Sequence, residues 1–336
     1  MANDDRILLA HGSGGKLAHD LIEKSFVSAL DNPLLAPLDD SAVVKFSGRL
    51  AFTTDSYVVS PIFFPGGDIG RLAVCGTVND LSTSGAVPLY LSLAFIIEEG
   101  LALKDLEKVV DSVRLTAQEA GVRIVTGDTK VVEHGSADRL FINTAGIGRI
   151  PAGANISGSN ARPGDMVILS GTIGDHGIAV LSQRQGLSFG TKLESDCAPL
   201  GKMVARMIKA SRNIHCMRDP TRGGLATTLN EMAKQSKVGI RIEETKIPVR
   251  DEVAGACEML GLDPLYIANE GKMIAIVAKE DTEKVLAAVK RDKYGRNAAV
   301  IGEVIAEHPG RVVMKTVLGS SRIVDMLVGE PLPRIC

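Results

Sequence analysis

The residues of this chain best suited to chemistry are carboxylates set in short motifs of Gly, Thr and Asn. Asp55 closes Thr53-Thr54-Asp55, Asp128 sits in Thr126-Gly127-Asp128-Thr129-Lys130, and Asp80 follows Val78-Asn79. Asp40 ends an Asp39-Asp40 pair, and Asp219 opens Asp219-Pro220-Thr221-Arg222-Gly223-Gly224. Several oxygen donors of this kind suit Mg2+ held against nucleotide phosphates. Strand ends that point to a common rim would let scattered carboxylates converge. Each residue also has a plainer reading: Asp beside Gly or Ser is turn chemistry, and Asp219 can cap a helix.

The second feature is a thiol. Of the five cysteines, Cys75, Cys197, Cys216 and Cys257 lie among apolar or helical residues, where buried structural thiols are expected. No CxxC pair occurs, so neither a zinc knuckle nor a thioredoxin-like motif is indicated, and the odd number and wide spacing argue against a disulfide framework. Cys336 ends the chain in Glu330-Pro331-Leu332-Pro333-Arg334-Ile335-Cys336. Two prolines favour extended, exposed backbone there. About ten such residues reach roughly 30 Å. A thiol on that arm suits a carrier that is loaded in one place and processed in another. The plainer reading is an exposed thiol open to oxidation.

The glycine-rich segments say less. Gly12-Ser13-Gly14-Gly15 is not a GxxxxGK[ST] phosphate loop. Gly171–Gly177 follows a strand and opens a helix, which suits either an anion at a helix N-terminus or a tight connection. There is no GxGxxG within a βαβ unit, no GxSxG and no HExxH, and the six histidines are scattered. A net charge of −2 gives no general attraction to nucleic acid or an anionic membrane. No apolar run approaches the ~20 residues of a membrane span, and the polar start is unlike a signal peptide, so the cytoplasm is the expected compartment.

The elements that must position these groups are legible from periodicity. With 336 residues, 45% hydrophobic and 23% charged, the chain suits two globular domains. Residues 1–35 read as a Gly-rich opening and a helix over 17–30. A block over 36–150 alternates strands (42–46, 50–54, 91–97, 123–126, 140–146) with helices over 69–85 and 105–120. A Gly/Pro/Ser/Asn-rich linker over 151–164 marks the boundary. The second block, 151–322, carries strands near 166–169, 240–243, 273–278, 299–305 and 311–316, the last two joined by His308-Pro309-Gly310. Its helices fall near 199–210, 222–235, 251–260 and 281–291. This order suggests α+β layers, with several hairpins, rather than a doubly wound sheet. Residues 323–336 form the tail.

Together these motifs resemble the HypE family of hydrogenase maturation factors, within the superfamily of aminoimidazole ribonucleotide synthetase (PurM-like) and selenophosphate synthetase. The resemblance runs through His11–Gly15, Thr53–Val58, Phe63–Gly67, Val78–Asp80, Thr126–Val132, Phe141–Gly146, Ser170–Gly177, Asp219–Gly224, Ala268–Lys272 and Pro333–Cys336, in order along nearly the whole chain. It implies a two-domain PurM-like fold of α/β and α+β character. The N-terminal domain would pair through its sheet into a homodimer, the small-residue helix over 69–85 permitting close packing.

It also implies a reaction. A partner, HypF, would carbamoylate the Cys336 thiol. ATP would drive dehydration of the S-carboxamide to a thiocyanate, and the cyano group would pass to iron in a HypC–HypD complex for the [NiFe] centre. ATP contacts are expected from Gly12, Ser13, Gly14, Gly15, Thr54, Asp55, Asn79, Asp80, Gly127, Asp128 and Asn143, with Mg2+ at Asp40, Asp55, Asp80, Asp128 and Asp219. Glu270, just before an apolar strand, would be a base whose pKa rises on burial, and Lys130 shares a side of extended chain with Asp128. Glu270 could instead pair with Lys272, and Lys130 could simply neutralise phosphate. Two other readings stand beside this one: another PurM-like ATP enzyme such as selenophosphate synthetase or a small-molecule kinase, and a non-catalytic thiol carrier or scaffold.

Overall fold

The computed structural model describes residues 6–12, 16–36, 41–186, 193–329, 332 and 334–336. Ser13, Gly14, Gly15 and Asp40 lie outside the described residues. Helices α1 (Lys16–Leu21) and α2 (Ser28–Leu30) are joined by a π-helical stretch over Ile22–Val27, so the expected N-terminal helix forms with one widened turn. Its Phe26 stacks on Phe95 at 5.0 Å between ring centroids.

After β1 (Leu50–Tyr57) come a short hairpin, β2 (Phe63–Phe64) and β3 (Gly67–Asp68), then α3 (Ile69–Thr83), β4 (Val87–Glu98), α4 (Leu103–Ala120), β5 (Arg123–Val132) and β6 (Leu140–Arg149). The four long strands form one sheet in the order β1-β6-β4-β5, antiparallel except for β4 with β5, which the α4 crossover joins. Helix α4 buries Leu106, Val109, Val110, Val113 and Ala117, a stripe at helical spacing, and ends on Gly121 in the left-handed region (φ 79°). Helix α3 is buried almost all round because its glycines let it sink. A methyl at Gly70 would stand 2.5 Å from the Val109 carbonyl, and one at Gly76 would overlap the Tyr57 hydroxyl. The Asp68 side chain caps α3, accepting from the backbone N–H of Gly70 and Arg71.

Both helices cover one face of this sheet. The strand expected over 42–46 does not form; β1 begins at Leu50 and pairs with β6, with no strand on its other side among the described residues.

The second half contributes β7 (Met166–Leu169), α5 (Asp175–Gln185), α6 (Gly201–Ala210), β8 (Ile214–Arg218), α7 (Gly224–Ser236), β9 (Gly239–Glu243), α8 (Asp251–Leu260), β10 (Ile274–Val277), α9 (Thr282–Lys290), β11 (Ala299–Ile305), β12 (Val312–Lys315) and β13 (Ser321–Val324). Its sheet order is β13-β12-β9-β11-β7-β10-β8. Val167, Leu169, Ile274 and Ile276 pack with Leu225, Leu229 and Met232 of α7, whereas Ile168, Ala275 and Val277 pack with α6 and α9. Strands buried on both faces read as continuous apolar runs, and these do. His308-Pro309-Gly310 does not close a hairpin: β9 lies between β11 and β12 and pairs parallel with β12. Strands β8 and β13, at the two edges of the sheet, escaped sequence reading because their polar residues blur the alternation. No helix among the described residues is long and apolar enough to cross a membrane.

Candidate functional site in the interdomain cleft

Strand period two decides which candidate residues meet. On β1, Thr53, Asp55 and Tyr57 turn towards α3, and Phe52, Thr54 and Ser56 turn away. The Thr53 hydroxyl donates to Asp80 Oδ2 (3.1 Å) from the last turns of α3, which brings Asp55 and Asp80 into one group. Asp219, just past β8, joins them from the second half. Desolvation, then the Asp55 charge, pushes the Asp80 carboxyl up to about 6. Desolvation, then Asp80, pushes Asp219 up to about 7. Asp80 and Asp219 face a cavity of about 340 Å³ that also carries Arg218 and Arg222. Asp219 does not cap α7, whose N-cap is Gly223 with no side-chain cap.

Glu270 closes the inner end of the cleft and is 3% exposed. Burial raises its pKa well above the usual carboxylate range, with Cys197 and Asp219 adding to the effect. It does not pair with Lys272, whose ammonium binds Asp196 (2.9 Å) and Asp175 (3.6 Å) instead. Asn79 is buried and fully committed to the backbone across the cleft. Its Nδ2 donates to the carbonyls of Ala198 (3.0 Å) and Glu270 (3.2 Å), and its Oδ1 accepts from Leu200 N–H (2.8 Å). Asn79, expected as a nucleotide contact, thus also braces the Glu270 backbone.

Asp128 and Lys130 do not reach this group within one chain. The register aligns Asp128, Ala94, Asn143 and Ser56 in one row across β5, β4, β6 and β1, so Asp128 lies three strands from Ser56, about 14 Å at ~4.8 Å per strand. That row is on the face away from α3. The expected common rim fails because paired residues share a face and neighbours along a strand alternate. Lys130 lies beside Asp128 at 3.4 Å, both exposed. Asn143 Nδ2 donates to the Asp55 carbonyl and to the Ser56 hydroxyl (2.9 Å each), and Thr54 Oγ1 donates to the Thr144 carbonyl (2.9 Å). Gly127 is required where β5 meets β4, since a Cβ would overlap the Leu93 carbonyl. Gly12, Gly127, Asp128 and Lys130 line a second cavity of about 480 Å³, floored by Ile22, Phe26, Leu93 and Phe95.

The tail, expected to be exposed, is docked. Val58 N–H donates to the Cys336 carbonyl (3.1 Å) and Ser60 N–H to the Arg334 carbonyl (3.2 Å), as in one step of an antiparallel ladder. Ile335 is buried, Leu332 packs between the N-terminal core and the α5–α8 cluster, and Cys336 packs on the same N-terminal core. The other four cysteines are buried. His176, missed from sequence, is buried with Nε2 at 2.9 Å from the Ile335 carbonyl and Nδ1 at 2.8 Å from Ser195 Oγ. Burial lowers its pKa. A carbonyl only accepts, so Nε2 carries the proton and Nδ1 accepts from Ser195. The single earlier signal was its position in the Ser170–Gly177 motif.

The chain matches two family models: AIR synthase related protein, N-terminal domain, over residues 38–150, and AIR synthase related protein, C-terminal domain, over residues 162–315. It is 57% identical over 333 residues to the carbamoyl dehydratase HypE of Rhizobium leguminosarum bv. viciae, covering 98% of this chain and 95% of that protein. A crystal structure of hydrogenase maturation protein HypE in complex with ATP superposes with a TM-score of 0.95 at 53% identity, over 98% of this chain and 99% of that one. A crystal structure of a HypE–HypF complex gives a TM-score of 0.81 at 52% identity, over 91% and 99%.

Proposed function

This chain belongs to the HypE family of carbamoyl dehydratases, and on that premise we propose that it dehydrates a carbamoyl group carried on its own Cys336, with ATP, to a thiocyanate. The observation that carries this reading is the docked tail, which pairs Cys336, the one cysteine outside the buried set, with Val58, three residues past Asp55. Family membership answers the two competing readings, a selenophosphate synthetase and a passive carrier.

A thiocarboxamide oxygen is a poor leaving group. Transfer of the γ-phosphoryl group to it makes phosphate the leaving group, and loss of both N–H protons closes the C≡N bond, so the water removed ends in phosphate. Glu270 is the proposed base: a carboxylate whose pKa is raised by burial accepts a proton near neutral pH far better than an ordinary one. Holding Cys336 by its backbone fixes the reacting carbon against ATP, the effect of proximity. Asp55, Asp80 and Asp219 are the proposed Mg2+ ligands. The upward pKa shifts of Asp80 and Asp219 come first from desolvation and then from neighbouring carboxylates, Asp55 on Asp80 and Asp80 on Asp219, a repulsion that a divalent cation would relieve. A Mg2+ held by few carboxylates is completed by phosphate oxygens. When bound it would neutralise phosphate charge.

Gly12, Thr54, Gly127, Asp128, Lys130 and Asn143 are proposed nucleotide contacts supplied by a second copy in a homodimer. The sheet face that carries Thr54, Asp128, Lys130 and Asn143 also exposes Phe52 (72%) and Ile96 (43%), apolar groups that pairing of two sheets would cover. A light-scattering mass near the 35.5 kDa of one chain, at micromolar concentration with ATP, would contradict this. HypF is the proposed carbamoyl donor and a HypC–HypD complex the proposed cyanide acceptor. ATP and these partners imply a cytoplasmic setting. The test is mass spectrometry of the C-terminal peptide after incubation with HypF, carbamoyl phosphate and ATP. A carbamoyl adduct on Cys336 that then loses one water is expected; an adduct on any other cysteine would sink the reading.

A further inference from the structure

The established activity needs the tail in two places, yet nothing in it says what holds the tail in register or what lets it go. The docked segment is held largely through its backbone. The Arg334 carbonyl accepts from Ser60 N–H and from Arg184 Nη2 (2.7 Å), the Ile335 carbonyl from His176 and the Cys336 carbonyl from Val58. Backbone bonds of this kind do not read sequence. An extended segment that slips by one residue turns every side chain to the other face, and the thiol would leave the cleft.

One side chain breaks that degeneracy. Arg334 Nε donates to the Val58 carbonyl (3.0 Å), Nη1 donates to Asp138 Oδ2 (2.7 Å), and its guanidinium lies 5.8 Å over the Phe141 ring. Its backbone is in the left-handed region (φ 56°), a conformation non-glycine residues rarely adopt without compensating contacts.

The receptor for this side chain is built in advance. Glu98 accepts from the backbone N–H of Gly135 (2.6 Å) and Arg139 (2.9 Å), which shapes the β5–β6 loop, and Arg139 pairs with Asp105 (2.7 Å). The Ser60 hydroxyl donates to Asp138 Oδ2 (3.2 Å), tying the loop to the segment the tail pairs with. His176, held by Ser195, presents a fixed N–H to the next peptide. By contrast the Asp138–Arg334 pair is open to solvent, with side chains 45% and 39% exposed. An ion pair at that exposure is weak and screened by salt, as a release point must be.

We propose that Asp138 is the positioning residue that fixes the docked register of the tail, and that its pair with Arg334 is the latch that divides the tail between dehydration when docked and loading when released. This rests on the reading of Cys336 as the carrier thiol. Breaking the latch should favour the undocked tail, so loading gains and dehydration loses.

The experiment uses the full chain and follows Cys336 alkylation by iodoacetamide on the C-terminal peptide at low and high salt. Asp138→Asn should be alkylated roughly two- to fivefold faster than the unaltered protein at low salt, the range that loss of an exposed ion pair gives. The unaltered protein should speed up as salt rises, and the variant should not. Arg334→Gln, which also loses the Val58 and Phe141 contacts, should be alkylated at least as fast as Asp138→Asn, and the double variant should add nothing to Arg334→Gln. With carbamoyl pre-loaded, Asp138→Asn should dehydrate more slowly in a single turnover at saturating ATP while its affinity for ATP is unchanged. Equal alkylation in all variants, with no salt response in the unaltered protein, would overturn the latch. Failure of the unaltered protein to accept carbamoyl would overturn the functional reading instead, and the alkylation result would still decide the latch.

Discussion

The two faces of the N-terminal sheet differ in kind although the same four strands make them. The face under α3 is packed and dry, and its ionisable groups, Asp55 and Asp80, gather with Asp219 and Glu270 where the two halves of the chain meet. The opposite face is wet and carries Asp128, Lys130, Thr54 and Asn143 beside exposed Phe52 and Ile96. One face concentrates like charges at a cost in desolvation; the other leaves polar and apolar groups uncovered. On the proposed reading neither face is a complete ATP site, and the site is divided between surfaces that a single chain does not bring together.

The largest effect should come from the buried face. Glu270→Gln should load carbamoyl and bind ATP yet lose dehydration by roughly 10²- to 10⁴-fold, the usual range for a positioned base. Lys130→Ala should also fail to dehydrate, although its side chain lies on the far face. If either variant dehydrates at the unaltered rate, that residue has no part in the chemistry.

Packing separates the faces next. Gly76→Ala should destabilise the protein by about 1–3 kcal/mol in denaturant unfolding, because its methyl overlaps the Tyr57 hydroxyl within a closed core. Phe52→Ser, on the open face, should leave the stability of the single chain within about 0.5 kcal/mol but weaken self-association in sedimentation. The reverse pattern would break the comparison.

The smallest effect is a pH trend. Asp80 and Asp219 have folded pKa values raised above their unfolded ones, so they stabilise the fold when protonated, and that contribution is lost as pH rises through about 6 and 7. The melting temperature of the protein without nucleotide should fall between pH 5 and 8, and Asp219→Asn should flatten the slope. A melting temperature independent of pH over that range would show that the acids are not crowded.

Much of this was legible in the sequence. Helix α4 announced itself by its stripe, and β7 and β10 by unbroken apolar runs, because local pattern and burial agree there. Pattern failed where pairing is non-local: β9 enters between β11 and β12, and no residue near His308-Pro309-Gly310 signals it. The carboxylates were found by type, but their division between two faces depends on register, which motif spacing does not carry. Asp138 gave no signal, since in sequence it is one more acid in a turn; only the Arg334 side chain lying against it gives it a role.

Complementation between inactive variants tests the divided site most directly. Glu270→Gln and Lys130→Ala proteins, each inactive alone, should be mixed in equal amounts, allowed to exchange chains, loaded with carbamoyl and given ATP. If Glu270 of one copy works with Lys130 of the other, half of the chain pairs are mixed and one of their two sites is intact, so dehydration should return to about one quarter of the unaltered rate. If both residues act within a single chain, every site in every mixture lacks one of them, and no activity returning after verified exchange would contradict the account.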